Sequence, residues 1–278
     1  MFIFYFYVVT TIAIFLWLLF PILGACFGSF FNVLIYRMPR EISLVRPGSH
    51  CPVCKHKIAL WHNIPVFGWL ILRGRCANCR EPISISYPMV ELLAAMLGFA
   101  ATFLAEPNPW QSVNLVKSIS LFWLLLTLIP IFAIDFKYLL LPDTVTIGGI
   151  LLGFALSFFP GSIGWLSSLI GIAVCGGGLF LFGFVCSKIL KKEGMGFGDV
   201  KLFAGFGAIM GAELAGISLI IGATLALVVT IPHRFLAKKD MQSPLPFGPF
   251  LGIAAPISYL FGDAILKFFL SLVLGVYC

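Results

Sequence analysis

Residues 121–135 read LFWLLLTLIPIFAID, a continuous apolar run that ends in the carboxylate of Asp135. A run of this length and composition is typical of a helix that spans a lipid bilayer. This run is part of a longer apolar segment at 113–135. Similar segments lie near residues 3–35, 88–105, 143–160, 164–188, 213–232 and 250–277. A shorter run, 200–212, follows a glycine-rich turn. With this run included, the sequence predicts about eight transmembrane helices.

The composition of the whole chain supports the same fold class. Of its 278 residues, 60% are hydrophobic and only 10% are charged, and the mean hydropathy is +1.07. A soluble core does not need this much apolar surface, so the sequence predicts an all-α polytopic membrane protein. The net charge of +7 does not indicate nucleic-acid binding, because the cations lie in short connections between apolar runs.

The positions of the cations also predict how the chain is oriented. Nearly all of the 18 Lys and Arg residues lie in the first, third, fifth and seventh connections. The positive-inside rule places these connections in the cytoplasm and both termini in the periplasm, as in a bacterial inner-membrane protein. The rule favours eight crossings, since without the 200–212 helix Arg234, Lys238 and Lys239 would lie outside. Asp135 and Asp199 then share the cytoplasmic face.

We expect three parts along the chain: a first transmembrane helix at 1–36, a cytoplasmic zinc-binding loop at 37–87 and a seven-helix membrane domain at 88–278. The loop contains two CxxC pairs, which are Cys51 with Cys54 and Cys76 with Cys79. Two such pairs are typical of a four-thiolate structural zinc site, which would also stabilise a loop with little core of its own.

Other interpretations of these cysteines are weaker. A reducing cytoplasm disfavours disulfides, and a redox site would not require two CxxC pairs. A histidine among His50, His56 and His62 could replace one thiolate, but four cysteines already complete a tetrahedral site.

Two carboxylates at one membrane face suggest a pair of aspartates that activates water. Amide hydrolysis by such a pair needs one ionised carboxylate to take a proton and one protonated carboxyl to polarise the carbonyl. Asp135 and Asp199 are the candidates, and Gly196 and Gly198 beside Asp199 allow close approach of backbone or substrate. The alternatives are that Asp199 only caps the next helix and that Lys137 pairs with Asp135.

Three further residues are secondary candidates. Asp143 is expected to be the N-cap of the helix that begins near it. Glu91, one turn into the second span, is either an anion at a helix start or a functional group facing the bundle interior. Lys201 follows Asp199 closely and is grouped with Gly196 and Gly198 as a supporting loop.

At these residues the chain resembles the bacterial type IV prepilin leader peptidases, which are membrane aspartic peptidases with a GxGD motif. The resemblance covers nearly the whole chain, and its motifs occur in the family's order. They are GSFFNVLIYRMP at 28–39, the two CxxC pairs, Asp135 followed by LPD at 141–143, GFGDVK at 196–201 and PFGP at 246–249.

The resemblance implies that Asp135 and Asp199 are catalytic. It implies removal of the short basic leader of type IV prepilins and of the pseudopilins of type II secretion, at the cytoplasmic face. It also implies N-methylation of the new N-terminus with S-adenosyl-L-methionine. No glycine-rich nucleotide loop places the methyl-donor site, so its residues are unknown at this point.

Other classes of protein remain open from the residues alone. The same aspartates could serve an ion- or proton-coupled transporter, although the sequence shows no convincing internal repeat. An assembly factor that docks a partner through the zinc loop would leave the Gly-x-Gly-Asp turn unexplained. A general intramembrane protease of the presenilin type would not need the zinc loop. The sequence does not indicate which pilins are substrates, or the oligomeric state.

Overall fold

The structure is a computed structural model that describes residues 2–105, 114–191, 196–236 and 245–274. Within these residues the secondary structure is helical, apart from two isolated β-bridges, His50 with Lys57 and Arg75 with Pro82. The chain folds as two compact units, Met1–Pro130 and Ile131–Cys278.

The described residues of unit 1 include the helices α1 (Phe2–Arg37), α2 (Phe67–Ile71), α3 (Ser86–Ala105) and α4 (Leu115–Leu126). Small residues let α1 and α3 pack backbone to backbone, since a β-carbon at Gly24 would lie only 2.3 Å from the carbonyl oxygen of Ala94. The ring of Phe122 in α4 meets Phe20 and Phe27 of α1 edge to face. The three long helices of this unit therefore form one packed bundle.

The connection between α1 and α3 is a small module of turns. It contains the 3₁₀ turns Met38–Arg40 and Leu60–Asn63 and the short helix α2. Side chains fix its two ends, because Arg37 donates to the carbonyl oxygen of Ser43 and Trp69 Nε1 donates to that of Ile83.

Unit 2 contains most of α5 (Leu128–Tyr138) and all of α6 (Asp143–Leu156), α7 (Trp165–Gly171), α8 (Gly178–Leu190), α9 (Phe197–Leu236) and α10 (Gly248–Leu274). A π-helical segment, Ile172–Gly177, joins α7 and α8 into one long helix. Its Cys175 is buried, with Sγ close to Gly207 of α9. The first part of α9 is the centre of this unit.

Helix α9 consists of two helical parts that meet at a kink. Gly211 interrupts it with φ 79° and ψ 170°, a backbone conformation that glycine adopts readily. Before the break, Gly205 lies beside Thr146 and Ala208 beside Gly153, so this part runs parallel to α6. After the break, Leu214 contacts Gly262 and Gly222 contacts Leu251, so this part runs antiparallel to α10.

The helix pattern confirms the predicted fold class. Six helices of the described residues are long and apolar enough to span a membrane: Thr11–Arg40, Ser86–Ala105, Leu115–Tyr138, Trp165–Ile189, Phe197–Pro232 and Gly248–Ser271. The apolar helix Asp143–Leu156 is shorter. These six spans are near the predicted number of about eight, and the longest of them, Phe197–Pro232, is broken at Gly211. The first part of α9 begins at Phe197, three residues earlier than expected.

Candidate active site and metal centre

Asp135 lies near the end of α5 and is nearly buried, with 5% of its surface exposed. Its Oδ2 accepts a hydrogen bond of 3.1 Å from the backbone N–H of Gly248. Gly248 is the first residue of α10, so this N–H belongs to the group that has no partner inside the helix. The N-terminus of a helix favours negative charge, and the Asp135 carboxylate therefore lies where such charge is stabilised.

The backbone at Gly248 approaches the Asp135 carboxylate more closely than a side chain would allow. A β-carbon on Gly248 would lie 2.8 Å from Oδ2 of Asp135 and 3.0 Å from Cδ2 of Leu141. A side chain at this position would therefore force the Asp135 carboxylate to shift.

Asp199 lies in the first turn of α9, and its backbone N–H donates to the carbonyl oxygen of Gly196 over 3.1 Å. Its Oδ1 is buried and has no hydrogen-bond partner among the described residues. A buried carboxylate oxygen without a partner is costly, and such groups are rare in folded proteins unless a ligand or function accounts for them. This oxygen therefore lacks the hydrogen bond that a water molecule or a substrate would supply.

The structure brings the two predicted catalytic residues together within unit 2. Asp199 interacts electrostatically with Asp135. The side chain of Leu141 lies between their supporting backbones, because it lies against both Gly198 and Gly248. A carboxylate pair next to an apolar side chain and a helix N-terminus matches the needs of a group that activates water.

Some sequence interpretations of this region are wrong in detail. The N-cap of α6 is Pro142, not Asp143, and no side chain caps this helix. Asp143 instead forms an ion pair with the ammonium of Lys201. Asp199 is not an N-cap either, because α9 begins two residues before it, at Phe197.

The supporting residues also differ from the prediction. Gly196 precedes α9, but Gly198 and Lys201 belong to its first turns and not to a loop. The Lys201 ammonium lies 5.3 Å from the centre of the Phe197 ring. Lys137, considered as a partner of Asp135, has its ammonium 5.4 Å from the centre of the Tyr138 ring. The contact that the structure gives the Asp135 carboxylate is with Gly248.

Glu91 lies in unit 1, in α3, and is buried. Its Oε2 accepts a hydrogen bond of 2.7 Å from the backbone N–H of Val66, and the Ser29 side chain also hydrogen-bonds to this carboxylate. The residue therefore ties the connecting module to α1 and α3.

The four cysteines of the module converge on one point. The Sγ atoms of Cys51 and Cys79 lie 3.8 Å apart, those of Cys54 and Cys76 lie 3.9 Å apart, and all four lie within 4.8 Å of one another. A tetrahedral zinc ion with Zn–S bonds of about 2.3 Å requires sulfur–sulfur separations of about 3.8 Å. Two of the sulfur–sulfur distances match this value, and the four thiols together could hold one metal ion.

The two CxxC turns have the same backbone geometry. Cys51 donates its N–H to the carbonyl oxygen of His56, and Cys76 does the same to Glu81. The residue after each second cysteine, Lys55 or Arg80, has a positive φ, of 59° and 61°. This repeated turn directs both sulfurs of a pair toward one ion.

Backbone N–H groups also prepare the thiols for a metal. The N–H of His56 is the main cause that lowers the pKa of Cys54 to about 6. The N–H of Cys79 is the main cause that lowers the pKa of Cys76. The N–H of Glu81 favours the Cys79 thiolate, but burial and the neighbouring thiols outweigh it and raise the pKa of Cys79 to about 12. Four thiolates this close need a cation, which zinc would supply.

Taken together, the fold and these two centres define a polytopic membrane protein with a paired-aspartate site and a four-cysteine metal module. Two family models match the chain: the bacterial peptidase A24 N-terminal domain over residues 22–105 and the type IV leader peptidase family over residues 119–231. The chain belongs to the type IV leader peptidase family. The resemblance drawn from the motifs is therefore confirmed.

Curated relatives named prepilin leader peptidase/N-methyltransferase support this assignment. The protein of Aeromonas hydrophila is 35% identical over 270 residues, which cover 88% of this chain and 90% of the relative. That of Pseudomonas putida is 31% identical over 266 residues, with the same coverage. That of Myxococcus xanthus is 40% identical over 189 residues, 68% of this chain and 54% of the relative. No solved structure matches the chain.

Sequence reasoning did not identify the role of Gly248. The segment 246–249 is a motif of the resemblance, and its position also indicates the start of a helix. A glycine next to Pro249 at the start of an apolar run predicts a helix N-terminus with a free N–H. What the sequence does not give is the residue that accepts this hydrogen bond.

Proposed function

We propose that this protein is a membrane aspartic endopeptidase that removes the leader peptide of type IV prepilins and pseudopilins, with Asp135 and Asp199 as its catalytic residues. The observation that carries the proposal is the pairing of a nearly buried Asp135 with the unpartnered Oδ1 of Asp199. The names of the curated relatives support the substrate class.

Different surroundings suggest different roles for the two aspartates. Asp135 accepts an N–H at the N-terminus of α10, which stabilises negative charge on it. We assign it the role of the base that takes a proton from water. The Oδ1 of Asp199 has no such donor in the described part of the chain, and Asp199 is assigned the role of the acid that donates a proton to the scissile carbonyl oxygen.

The reaction then proceeds by ordinary amide hydrolysis. The water oxygen bonds to the scissile carbonyl carbon as its proton passes to Asp135, while Asp199 protonates the carbonyl oxygen. The tetrahedral intermediate collapses with cleavage of the C–N bond, and the proton held by Asp135 passes to the leaving amine. Asp199 recovers its proton from the same intermediate, so the pair returns to its starting state.

The second proposed activity is N-methylation of the new N-terminus with S-adenosyl-L-methionine as donor. Its support is the name shared by the curated relatives. No residue of this chain is assigned to the methyl donor.

The zinc module is proposed to act structurally. Its four thiolates would hold Zn²⁺ and fix the connection between α1 and α3. The proposed division of the chain is a first helix at 1–36, a metal loop at 37–87 and a membrane domain at 88–278.

The orientation is also a proposal, supported by the positions of the cations. The chain is proposed to lie in the bacterial inner membrane with both termini in the periplasm and the aspartate pair at the cytoplasmic face. Leader removal at this face is consistent with a substrate that enters laterally from the bilayer.

The test is the mass of a purified prepilin after incubation with the full-length protein, with and without S-adenosyl-L-methionine. We expect loss of the leader in both reactions and an added methyl group only with the donor. An intact prepilin, after incubation with folded protein that retains its zinc, would overturn the peptidase assignment. Cleavage without any methylation would overturn only the second activity.

A further inference from the structure

Helix α2 of the connecting module exposes an apolar face. Phe67, Leu70 and Ile71 lie at positions i, i+3 and i+4 and therefore share one side of the helical turn. Their exposed fractions are 64%, 54% and 65%. The other side packs inward, because Gly68 is buried against the backbone of His62 and Trp69 donates to Ile83. The apolar face is therefore exposed although the opposite side of α2 is packed.

The N-terminus of α2 is held in a rare backbone conformation. Val66 has φ 63° and ψ −53°, and Phe67 donates its N–H across it to the carbonyl oxygen of Pro65 over 2.6 Å. This is a γ-turn with positive φ, a strained geometry that is exceptional for a β-branched residue. Such strain persists only where the surrounding structure enforces it.

Glu91 enforces this turn from inside the membrane-spanning helix α3. Its Oε2 accepts the N–H of Val66 at 2.7 Å, and the carboxylate also bonds to Ser29 of α1. Glu91 is five residues past Ser86, where α3 begins, which places its Cα about 8 Å along the helix. It packs against Gly28, nine residues before the end of α1 at Arg37. The turn at Val66 is therefore held beside α1 and α3, within the length of both helices.

A backbone that reaches this level needs its polar groups satisfied by protein, since the hydrocarbon layer supplies no partners. The Glu91 carboxylate provides the partner for the N–H of Val66. The apolar face that follows, Phe67, Leu70 and Ile71, lies next to this turn and thus near the ends of two helices that are long and apolar enough to cross a membrane. The boundary between phospholipid headgroups and acyl chains is favourable for exposed Phe, Leu and Ile side chains.

The charge of the module fits the same surface. Residues 37–87 contain eight Lys and Arg residues but only two acids, Glu41 and Glu81. Arg73, two residues after Ile71, is exposed. Basic residues next to a membrane span attract the phosphates of anionic lipids.

We propose that α2 is a membrane-docking element that inserts Phe67, Leu70 and Ile71 into the headgroup–acyl boundary of an anionic phospholipid bilayer, held there by the hydrogen bond between Glu91 and Val66. Docking of this kind fixes the connecting module, with its four cysteines, at the membrane surface. The proposal does not depend on the peptidase assignment, because it concerns only unit 1.

The test measures lipid contact at position 67 in the full-length protein. Phe67 is replaced by trifluoromethylphenylalanine, and the protein is placed in nanodiscs of equal parts phosphatidylcholine and phosphatidylglycerol. Broadening of the fluorine resonance is compared for a lipid-borne nitroxide and a water-soluble gadolinium chelate. The same label at Leu92, an exposed position of span α3, gives the lipid reference, and at Val53, in the first CxxC turn, the water reference.

We expect the lipid nitroxide to broaden the signal at position 67 at least about twofold more than at position 53, and close to the value at position 92. Broadening mainly by the aqueous chelate would overturn the proposal. Protection from both agents would also overturn it, because it would show that protein covers this face.

The role of Glu91 is tested by two substitutions in the labelled protein. Glu91→Gln keeps an oxygen that accepts the N–H of Val66, whereas Glu91→Leu does not. We expect lipid broadening at position 67 to be retained in the first variant and lost in the second, with zinc content unchanged in both. Equal broadening in the two variants would remove Glu91 from the proposal.

Discussion

The four-cysteine module of unit 1 and the aspartate pair of unit 2 differ in whether their polar side chains have partners. The four thiols of the module contact one another and accept backbone N–H groups, so they form a closed set that requires only one cation. In the aspartate pair, the Oδ1 of Asp199 is buried without a partner among the described residues. A closed set of ligands is typical of a structural centre, and an open buried acid is typical of a reactive one.

The same contrast is seen in the backbone around each centre. The CxxC turns repeat one geometry twice, which makes a rigid site from short local segments. The aspartate pair instead draws on α5, α9 and α10, which are far apart in sequence. Substitutions should therefore affect the two centres in different ways, and the following predictions test that difference.

The largest effect is expected from neutralising either aspartate. Asp135→Asn and Asp199→Asn should each lower the rate of prepilin cleavage by about 10³-fold or more, since each removes one proton-transfer step. Rates are measured by mass spectrometry with proteins of matched zinc content and helical circular dichroism. Asp143→Asn is the control, because this exposed carboxylate belongs to the same unit but pairs with Lys201. A control as inactive as the aspartate variants would contradict the assignment.

Removal of a zinc ligand should affect the four-cysteine module directly and the aspartate pair only indirectly. Cys76→Ser is expected to lose bound zinc and to unfold the metal module, because structural zinc supplies much of the folding free energy of such a module. Methylation should fall at least as much as cleavage. Zinc is measured by atomic emission, with Cys186→Ser as a cysteine control outside the cluster. Full zinc content in Cys76→Ser would refute the four-thiolate site.

A methyl group at the α10 N-terminus should disturb the active site without changing its chemistry. Gly248→Ala places a β-carbon 2.8 Å from Oδ2 of Asp135, so the carboxylate must move. We expect cleavage to slow by about tenfold to a hundredfold, the range for a misplacement of about 1 Å. Gly216→Ala is the matched control, since its β-carbon would meet open space. Equal rates for both variants would show that the contact with Gly248 is unimportant.

The smallest effect is expected at the ion pair between Asp143 and Lys201. The Asp143 side chain is mostly exposed, and such pairs contribute about 0.5 kcal/mol to the free energy of unfolding. A double-mutant cycle with Asp143→Asn and Lys201→Met measures this coupling by thermal or denaturant unfolding. A coupling of several kcal/mol would mean that the pair is a buried structural element and not a surface contact.

Much of this molecule could be predicted from local patterns. Apolar length gave the spans, because about 20 apolar residues are needed to cross a bilayer. Cysteine spacing predicted the metal module, since each CxxC turn forms within a few residues. Asp135 and Asp199 stay predicted catalytic residues, which the sequence suggests because charged residues are costly in apolar runs.

The parts that could not be predicted depend on contacts between distant residues. The donation from Gly248 to Asp135 joins positions 113 residues apart. The error at Asp143 has the same origin. The helix-capping propensity of aspartate favoured an N-cap, but the Asp143 carboxylate pairs with Lys201 in another helix. The break in α9 at Gly211 was expected only approximately, because glycine permits positive φ at many positions and packing against α6 and α10 selects one.

The measurement that tests the central claim most directly is single-turnover cleavage of a prepilin by Asp135→Asn, Asp199→Asn and the double variant. Two residues that act as one unit lose their activity together, so the double variant should be no slower than the slower single variant. Losses that multiply in the double variant would contradict a water-activating pair. A single variant that keeps its rate within about tenfold of the wild type would contradict it as well.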